Sequence, residues 1–155
     1  MITRGKNVRI SAKAILIRKG RVLLMRARDR QGVYYLLPGG GQRHGETLHE
    51  ALVRECLEET GVLVRPLEAR YIRDYIAGHH EFAASDGAFH QVEIMFLCEF
   101  VKKTGRPRRP DKNQTGSSWV LLSRLAKVRL YPSVLKPLLG PAGQLRGPVY
   151  LGDVN

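Results

Sequence analysis

Polar and apolar residues alternate from Val8 to Ala14, with Val8, Ile10, Ala12 and Ala14 set against Arg9, Ser11 and Lys13, and the run then turns continuously apolar up to Ile17. A period of two marks a strand, and Lys19-Gly20 supplies a turn before a second apolar run, Val22 to Met25. The spacing therefore predicts a strand, a turn and a strand. After a polar break at Arg28 to Gly32, Tyr34 to Leu37 form a short aromatic and aliphatic run. Pro38-Gly39-Gly40-Gly41 stops it, and here regular structure is expected to end and a loop to begin. Glu46 to Thr60 holds no Gly or Pro, is rich in Leu, Ala, Glu and Arg, and lies between Gly45 and Gly61. A glycine is the residue expected just past a helix end, so this stretch predicts a helix.

Val62 to Tyr71 and Gln91 to Val101 read as strands, separated by a loop carrying Gly78, His79, His80, Ser85, Asp86 and Gly87. Their imperfect alternation predicts that at least one is covered on both faces. Lys102 to Gly116, with Gly105, Pro107 and Pro110, reads as a basic solvated loop. Trp119 to Leu122 predicts a short strand, Ser123 a cap for a helix running to about Val128, and Ser133 a cap for another ending near Gly140. Strands alternating with a few helices and no internal repeat predict an α/β or α+β layered fold. Residues 1–140 are assigned to one domain and Pro141 to Asn155 to a C-terminal tail, with Val149 to Leu151 as its candidate docking segment.

Composition narrows the class. A chain of 155 residues with 43% hydrophobic content lies within the usual span of a single domain, about 100–200 residues. Its 26 Lys+Arg against 14 Asp+Glu give a formal charge of +12. A field of this sign attracts phosphates, nucleic acids and acidic membrane surfaces without choosing among them, and a solvated basic surface carries the same charge. No apolar run approaches the roughly 18 residues of a membrane span. Met1 to Ile10 shows no apolar stretch ahead of a small-residue cleavage site, so a cytoplasmic location is expected. Cys56 and Cys98, far apart and each among apolar neighbours, read as buried thiols in a reducing compartment.

Chemistry enters on the predicted helix. Glu55, Glu58 and Glu59 are spaced i, i+3 and i+4, which places them in one arc roughly 100° wide. Like charges at i, i+4 destabilise a helix by roughly 0.2–0.5 kcal/mol. Arg54 is placed to pair with Glu58, leaving the other two uncompensated, so a cation is expected there. Magnesium is held by a few carboxylates plus substrate phosphates and water. A solvated helix face with ordinary salt bridges accounts for the same three glutamates until the preceding segment is included. Gly40 to Val62 reads GGQRHGETLHEALVRECLEETGV: Gly40, five residues, Glu46, seven residues, Arg54-Glu55, the apolar position Cys56, one residue, Glu58-Glu59, one residue, Gly61, Val62. This segment resembles the Nudix box at every fixed position, with Cys56 where a larger aliphatic residue is more usual. The order of elements over roughly residues 8–140 is also similar to that family's.

The resemblance implies an α/β/α sandwich with a mixed β-sheet and a metal-dependent hydrolase acting on a nucleoside diphosphate linked to another moiety, with ADP-ribose as the expected substrate type. It implies that Glu55, Glu58 and Glu59, with the Gly39 carbonyl, hold Mg2+ or Mn2+, that Arg54 orients Glu55, and that Gly40, Glu46 and Gly61 support the loop and helix. The general base is left among Glu55, Glu93, Glu99 and Asp111; Glu93 and Glu99 share strand parity and so a face. The family's subgroup markers, a proline or tyrosine about sixteen residues past Gly61, are absent from their place, which Ala77 occupies. Alternatives are a nucleoside triphosphate cleanup hydrolase, or a non-catalytic module binding nucleotide or RNA. The complete set Arg54, Glu55, Glu58 and Glu59 speaks for catalysis.

Weaker constellations are set aside. His79, His80, Glu81 and His90 have no helical histidine pair for zinc. Arg106, Arg108 and Arg109 lack interleaved aromatic residues for RNA. Tyr34 and Tyr35, entering a Pro-Gly segment, are expected in the core and not under a base. The expected partner is a small nucleotide, with no membrane and no nucleic acid, and the oligomeric state, a homodimer included, is left open.

Overall fold

The computed structural model describes residues 7–107 and 113–155. Among the described residues nine strands form one sheet, β1 (Arg9–Arg18), β2 (Arg21–Asp29), β3 (Gly32–Leu36), β4 (Gly39–Gly41), β5 (Val62–Ile76), β6 (His90–Lys103), β7 (Gln114–Leu121), β8 (Leu130–Tyr131) and β9 (Tyr150–Asp153), seven of them in the order β8-β3-β2-β1-β6-β5-β9. β4 adds to β1 and β7 to β2. The pairing is mixed: β1 with β6, β3 with β8 and β5 with β9 run parallel, the rest antiparallel. β1 is the hinge of the arrangement. Its residues Arg9–Leu16 pair with β6, and Ile17–Arg18 turn through Lys19-Gly20 to pair with β2.

The continuous apolar run of β1 follows from cover on both faces. Ala12, Ala14 and Leu16 pack with Leu52, Cys56, Val62 and Phe96 under helix α1 (Leu48–Thr60). Ile15 points the other way, into a second core with Val22, Leu24, Tyr71, Met95, Leu125 and Leu135. β6 shows the same division, sending Phe96 and Cys98 to the first core and Met95 to the second. The result is the expected sandwich with a mixed sheet. Its second outer layer is thin: Leu122–Lys127 is a 3-10 turn and not an α-helix, and α3 (Leu135–Leu138) is one turn long.

Two further expectations are corrected. The glycines after Pro38 do not end regular structure, because Gly39, Gly40 and Gly41 pair with Lys13, Ala12 and Ser11 of β1. Without side chains they lie flat against the neighbouring strand, a close approach that propensity alone does not anticipate. Ser123 and Ser133 cap nothing; the Ser133 hydroxyl donates instead to the Asn155 carbonyl at 2.9 Å. In the loop before β6, Ala77–His79 forms a 3-10 turn and Ala83–Asp86 a single helical turn, α2.

Helix α1 starts two residues later than expected. Thr47 is its N-cap, accepting from the Glu50 N–H at 3.1 Å, while the Glu50 carboxylate takes the Thr47 N–H at 2.7 Å. This reciprocal capping box satisfies two donors that a helix end would otherwise leave unpaired. Gly61, at φ 70°, closes the other end in the left-handed region. Thr47→Ala is expected to cost about 1 kcal/mol, seen as a fall of roughly 2–4 °C in Tm. An unchanged melt would mean that the cap adds nothing to the stability of α1.

Candidate active site

The site is built where β4 lies against the second half of α1, at Arg54, Glu55 and Glu59. Gly39 sits at φ 134°, and a Cβ there would overlap the Ala12 carbonyl, so only glycine fits this pairing. At Gly40 a Cβ would fall 2.6–2.9 Å from the Glu55 carboxylate atoms. The missing side chain lets backbone and carboxylate approach and leaves a cradle around Glu55.

Arg54 organises the carboxylates. Its Nη2 donates to Glu46 Oε2 at 2.9 Å and to the Gly41 carbonyl at 3.1 Å, its Nε donates to Glu46 Oε1, and its Nη1 donates to Glu55 Oε1 at 2.7 Å. The Glu58 carboxylate lies 3.6 Å from Nη1. A single guanidinium, with five donors in a rigid fork, thus ties loop to helix. The expectation that Arg54 leaves Glu55 uncompensated is corrected: Arg54 binds Glu55 more closely than Glu58. The Arg54 side chain and the Arg43 amide hold the Glu46 carboxyl at about 2. Its contribution to the loop is complete above the unfolded value of about 4.3 and is lost as pH falls toward 2.

Glu59 is buried and accepts the Gly39 N–H at 3.1 Å. On its other side Gly39 offers its carbonyl to Lys13 Nζ at 3.1 Å. The Lys13 ammonium lies 3.9 Å from Glu93 Oε1, and Glu93 accepts from Gln91 Nε2 at 3.1 Å and from Arg73 Nε. Burial alone would raise the Glu93 carboxyl, yet Arg73 and Lys13 outweigh it and hold the group below its usual range. Polar contacts therefore run from α1 through Gly39 and Lys13 to Glu93 and Arg73. Lys13 and Arg73 were missed in the sequence. The available signal was a charge at a position sharing parity with buried residues: Lys13 with Ile15, Arg73 with Tyr71 and Tyr75.

Not every candidate is brought here. Glu99 shares strand β6 with Glu93, but six residues along a strand is roughly 20 Å, and its exposed carboxylate pairs with exposed Arg65. Asp111, Arg108 and Arg109 lie outside the described residues. His79 and His80 face Asp153, and His90 faces Asp74. Tyr34 is buried, edge-on to Tyr131 at 5.8 Å, and Tyr35 packs against the second core. Cys56 and Cys98 are both free and buried, and burial pushes Cys98 up to about 12.

The donor set suits a hard cation, three carboxylates and one carbonyl, all oxygen. As the side chains stand, no three His, Cys, Asp or Glu among the described residues are gathered so as to hold a metal. The carboxylates are turned onto Arg54 and the Gly39 amide. An incoming cation would compete with Arg54 for Glu55 and Glu58, and with Lys13 for the Gly39 carbonyl.

Beside this site an open groove of about 420 Å³ runs between β1 and the loop before α1, lined by Arg9, Gln42, Arg43, His44 and Glu46 among others. Its two arginines suit an anion.

A glycine strand laid on a carboxylate-rich helix and tied by one arginine is the arrangement of the candidate site, and comparison with known proteins gives the family of the chain. The family model described as NUDIX domain matches residues 7–138. The chain belongs to this family. It is a Nudix hydrolase, and solved relatives share its fold. A MutT NUDIX hydrolase from Burkholderia pseudomallei is 26% identical, with 84% of this chain and 95% of that one covered and a TM-score of 0.65. An ADP-ribose pyrophosphatase from Streptococcus suis is 18% identical over 81% of each chain, with a TM-score of 0.56. A UDP-X diphosphatase is 16% identical, covering 95% of this chain and 68% of that one, with a TM-score of 0.66. No curated protein matches the sequence. Among the described residues no helix of this Nudix chain is long and apolar enough to cross a membrane.

Proposed function

We propose that this Nudix hydrolase cleaves the phosphoric anhydride of a nucleoside diphosphate joined to a second moiety, with ADP-ribose as the first substrate to test, in a reaction that needs Mg2+ or Mn2+. The observation that carries the reading is the packing of Gly40 on the Glu55 carboxylate while Arg54 holds Glu46, Glu55 and Glu58 together. Glu55, Glu58, Glu59 and the Gly39 carbonyl would hold the cation, which supplies charge neutralisation of the pyrophosphate and a more acidic water.

The chain's own groups supply the rest. Arg54 orients Glu55 beside the glycine strand. Glu55 is assigned as the general base ahead of Glu93, because both Glu93 oxygens are engaged by Gln91 and Arg73, and a carboxyl held low by two cations is a weak proton acceptor; Asp111→Asn is the matching control. Lys13 and Arg73 stabilise phosphate charge, with Arg9 and Arg43 in the adjoining groove. Gly61 and Glu46 are assigned to support of helix and loop. The buried free thiols of Cys56 and Cys98 suit a reducing cytoplasm.

The test is a panel of ADP-ribose, a UDP-sugar and the nucleoside triphosphates with magnesium, both products being identified by mass. Cleavage of ADP-ribose to AMP and ribose 5-phosphate is expected. Turnover of triphosphates alone would move the cleanup reading to first place. Replacing Arg106, Arg108 and Arg109 together by Ala is expected to change ADP-ribose hydrolysis less than about threefold at moderate salt, since two phosphates need few cations. An RNA partner would instead show a steep salt slope that drops by about three in that variant.

A further inference from the structure

The two basic side chains beside the candidate cation ligands are held in different ways. Arg54 is spent on four acceptors, both Glu46 oxygens, Glu55 and the Gly41 carbonyl. Lys13 makes one hydrogen bond among the described residues, from Nζ to the Gly39 carbonyl at 3.1 Å. That carbonyl belongs to the donor set assigned to the divalent cation, and the Gly39 N–H on its other side holds Glu59 at 3.1 Å. A carbonyl oxygen has a second lone pair, but an ammonium and a divalent cation on one oxygen are like charges side by side, and their repulsion is strong in a partly buried site. Lys13 is the group able to give way. It carries a compact point charge on a flexible four-carbon stem, whereas the rigid Arg54 fork is committed on all sides.

A second seat for the ammonium exists on the same face of the sheet. Lys13 Nζ stands 3.9 Å from Glu93 Oε1, so a shift of about 1 Å brings it to the distance of a charge-assisted hydrogen bond. Glu93 Oε1 accepts from Gln91 Nε2 at 3.1 Å and Oε2 accepts from Arg73. A carboxylate offers about four lone-pair sites, so acceptor capacity is left there. Ser11, opposite Glu93 in the register of β1 on β6, adds a buried hydroxyl with no hydrogen-bond partner among the described residues. The narrow crevice lined by Lys13, Arg73, Glu93 and Tyr131 adjoins this seat. Leaving Gly39 therefore takes the ammonium toward Arg73, the other group assigned to phosphate charge.

We propose that Lys13 is a built-in counter-cation of the metal site, whose ammonium holds the Gly39 carbonyl until a divalent cation takes that oxygen and then moves onto Glu93. The proposal rests on the reading of Glu55, Glu58, Glu59 and the Gly39 carbonyl as cation ligands. Lys13→Met keeps the apolar stem and removes the charge. With no substrate present, Mn2+ is expected to bind this variant at least about fivefold more tightly than the wild type by calorimetry, because no ammonium has to be displaced. In the wild type, the nitrogen NMR signal of Lys13 Nζ, identified by its loss from the Lys13→Met spectrum, should move as Mg2+ is added, with the midpoint of Mg2+ binding. A thermal melt checks that the variant is folded; if it is not, the wild-type titration with Mg2+ decides alone. Unchanged or weaker Mn2+ binding in folded Lys13→Met overturns the proposal. Tighter binding with an Nζ signal that Mg2+ leaves in place also overturns it, since that is charge acting at a distance. A wild type that binds no Mn2+ removes the metal-site reading as well, whereas bound Mn2+ with an unaffected Lys13 removes this inference alone.

Discussion

Replacing Glu55 by Gln is expected to lower kcat on ADP-ribose by about 10²-fold or more at saturating magnesium, with Tm held or slightly raised. Glu55 carries two assigned duties, cation ligand and general base, and an amide can perform neither well. The fold should tolerate the change. Glu55 and Glu59 are like charges at i, i+4, and removing one relieves roughly 0.2–0.5 kcal/mol of repulsion. Against that stands the loss of charge in the Arg54 contact at 2.7 Å, at a side chain 19% exposed, where the Gln oxygen can still accept. Glu59→Gln should lose activity similarly, because its amide oxygen can still accept the Gly39 N–H while its charge is gone. The companion measurement is the melt with and without magnesium: a ligand that binds only the folded state raises Tm, and the wild type should gain more than either variant. Normal hydrolysis by both variants, together with a wild type indifferent to magnesium, would sink the metal-site assignment.

Adjacent glycines should fail in different ways. At Gly39 a methyl group meets backbone, the Ala12 carbonyl, at φ 134°, so neither neighbour nor conformation can yield cheaply. Overpacking and an unfavourable φ together predict a loss of about 2–5 kcal/mol for Gly39→Ala, or a fall of roughly 5–15 °C in Tm. At Gly40 the methyl group meets the end of a side chain, the Glu55 carboxylate, at 2.6–2.9 Å. That carboxylate can swing aside, so Gly40→Ala should melt within a few degrees of the wild type while kcat falls about 10²-fold through misplacement of Glu55. Equal loss of stability in both variants would show that the glycine strand serves the fold alone. Full activity in a folded Gly40→Ala would remove the cradle from the mechanism.

What the sequence by itself determined was local or periodic. The i, i+3, i+4 spacing put Glu55, Glu58 and Glu59 on one helix face, Gly61 marked the helix end, and alternation in β1 with apolar runs bounded by turn residues in β2, β5 and β6 placed these strands, because each of these signals is read within one turn or one strand of the chain. The fixed positions from Gly40 to Val62 were enough to point to the family. Tertiary structure decided everything that needed a neighbour distant in sequence. Gly39 to Gly41 became a strand because β1 lay beside them and their missing side chains allowed the approach, where propensity alone gave a loop. Glu93 and Glu99 were equivalent by parity, and only the register of β5 on β6 set one against buried Arg73 and the other against exposed Arg65. Ser133 gave up its expected capping role to Asn155, 22 residues on, and Asp153 found His79 and His80 more than 70 residues back. Side-chain hydrogen bonds of that range are fixed by which strand edges meet, and no pattern of neighbouring residues encodes it.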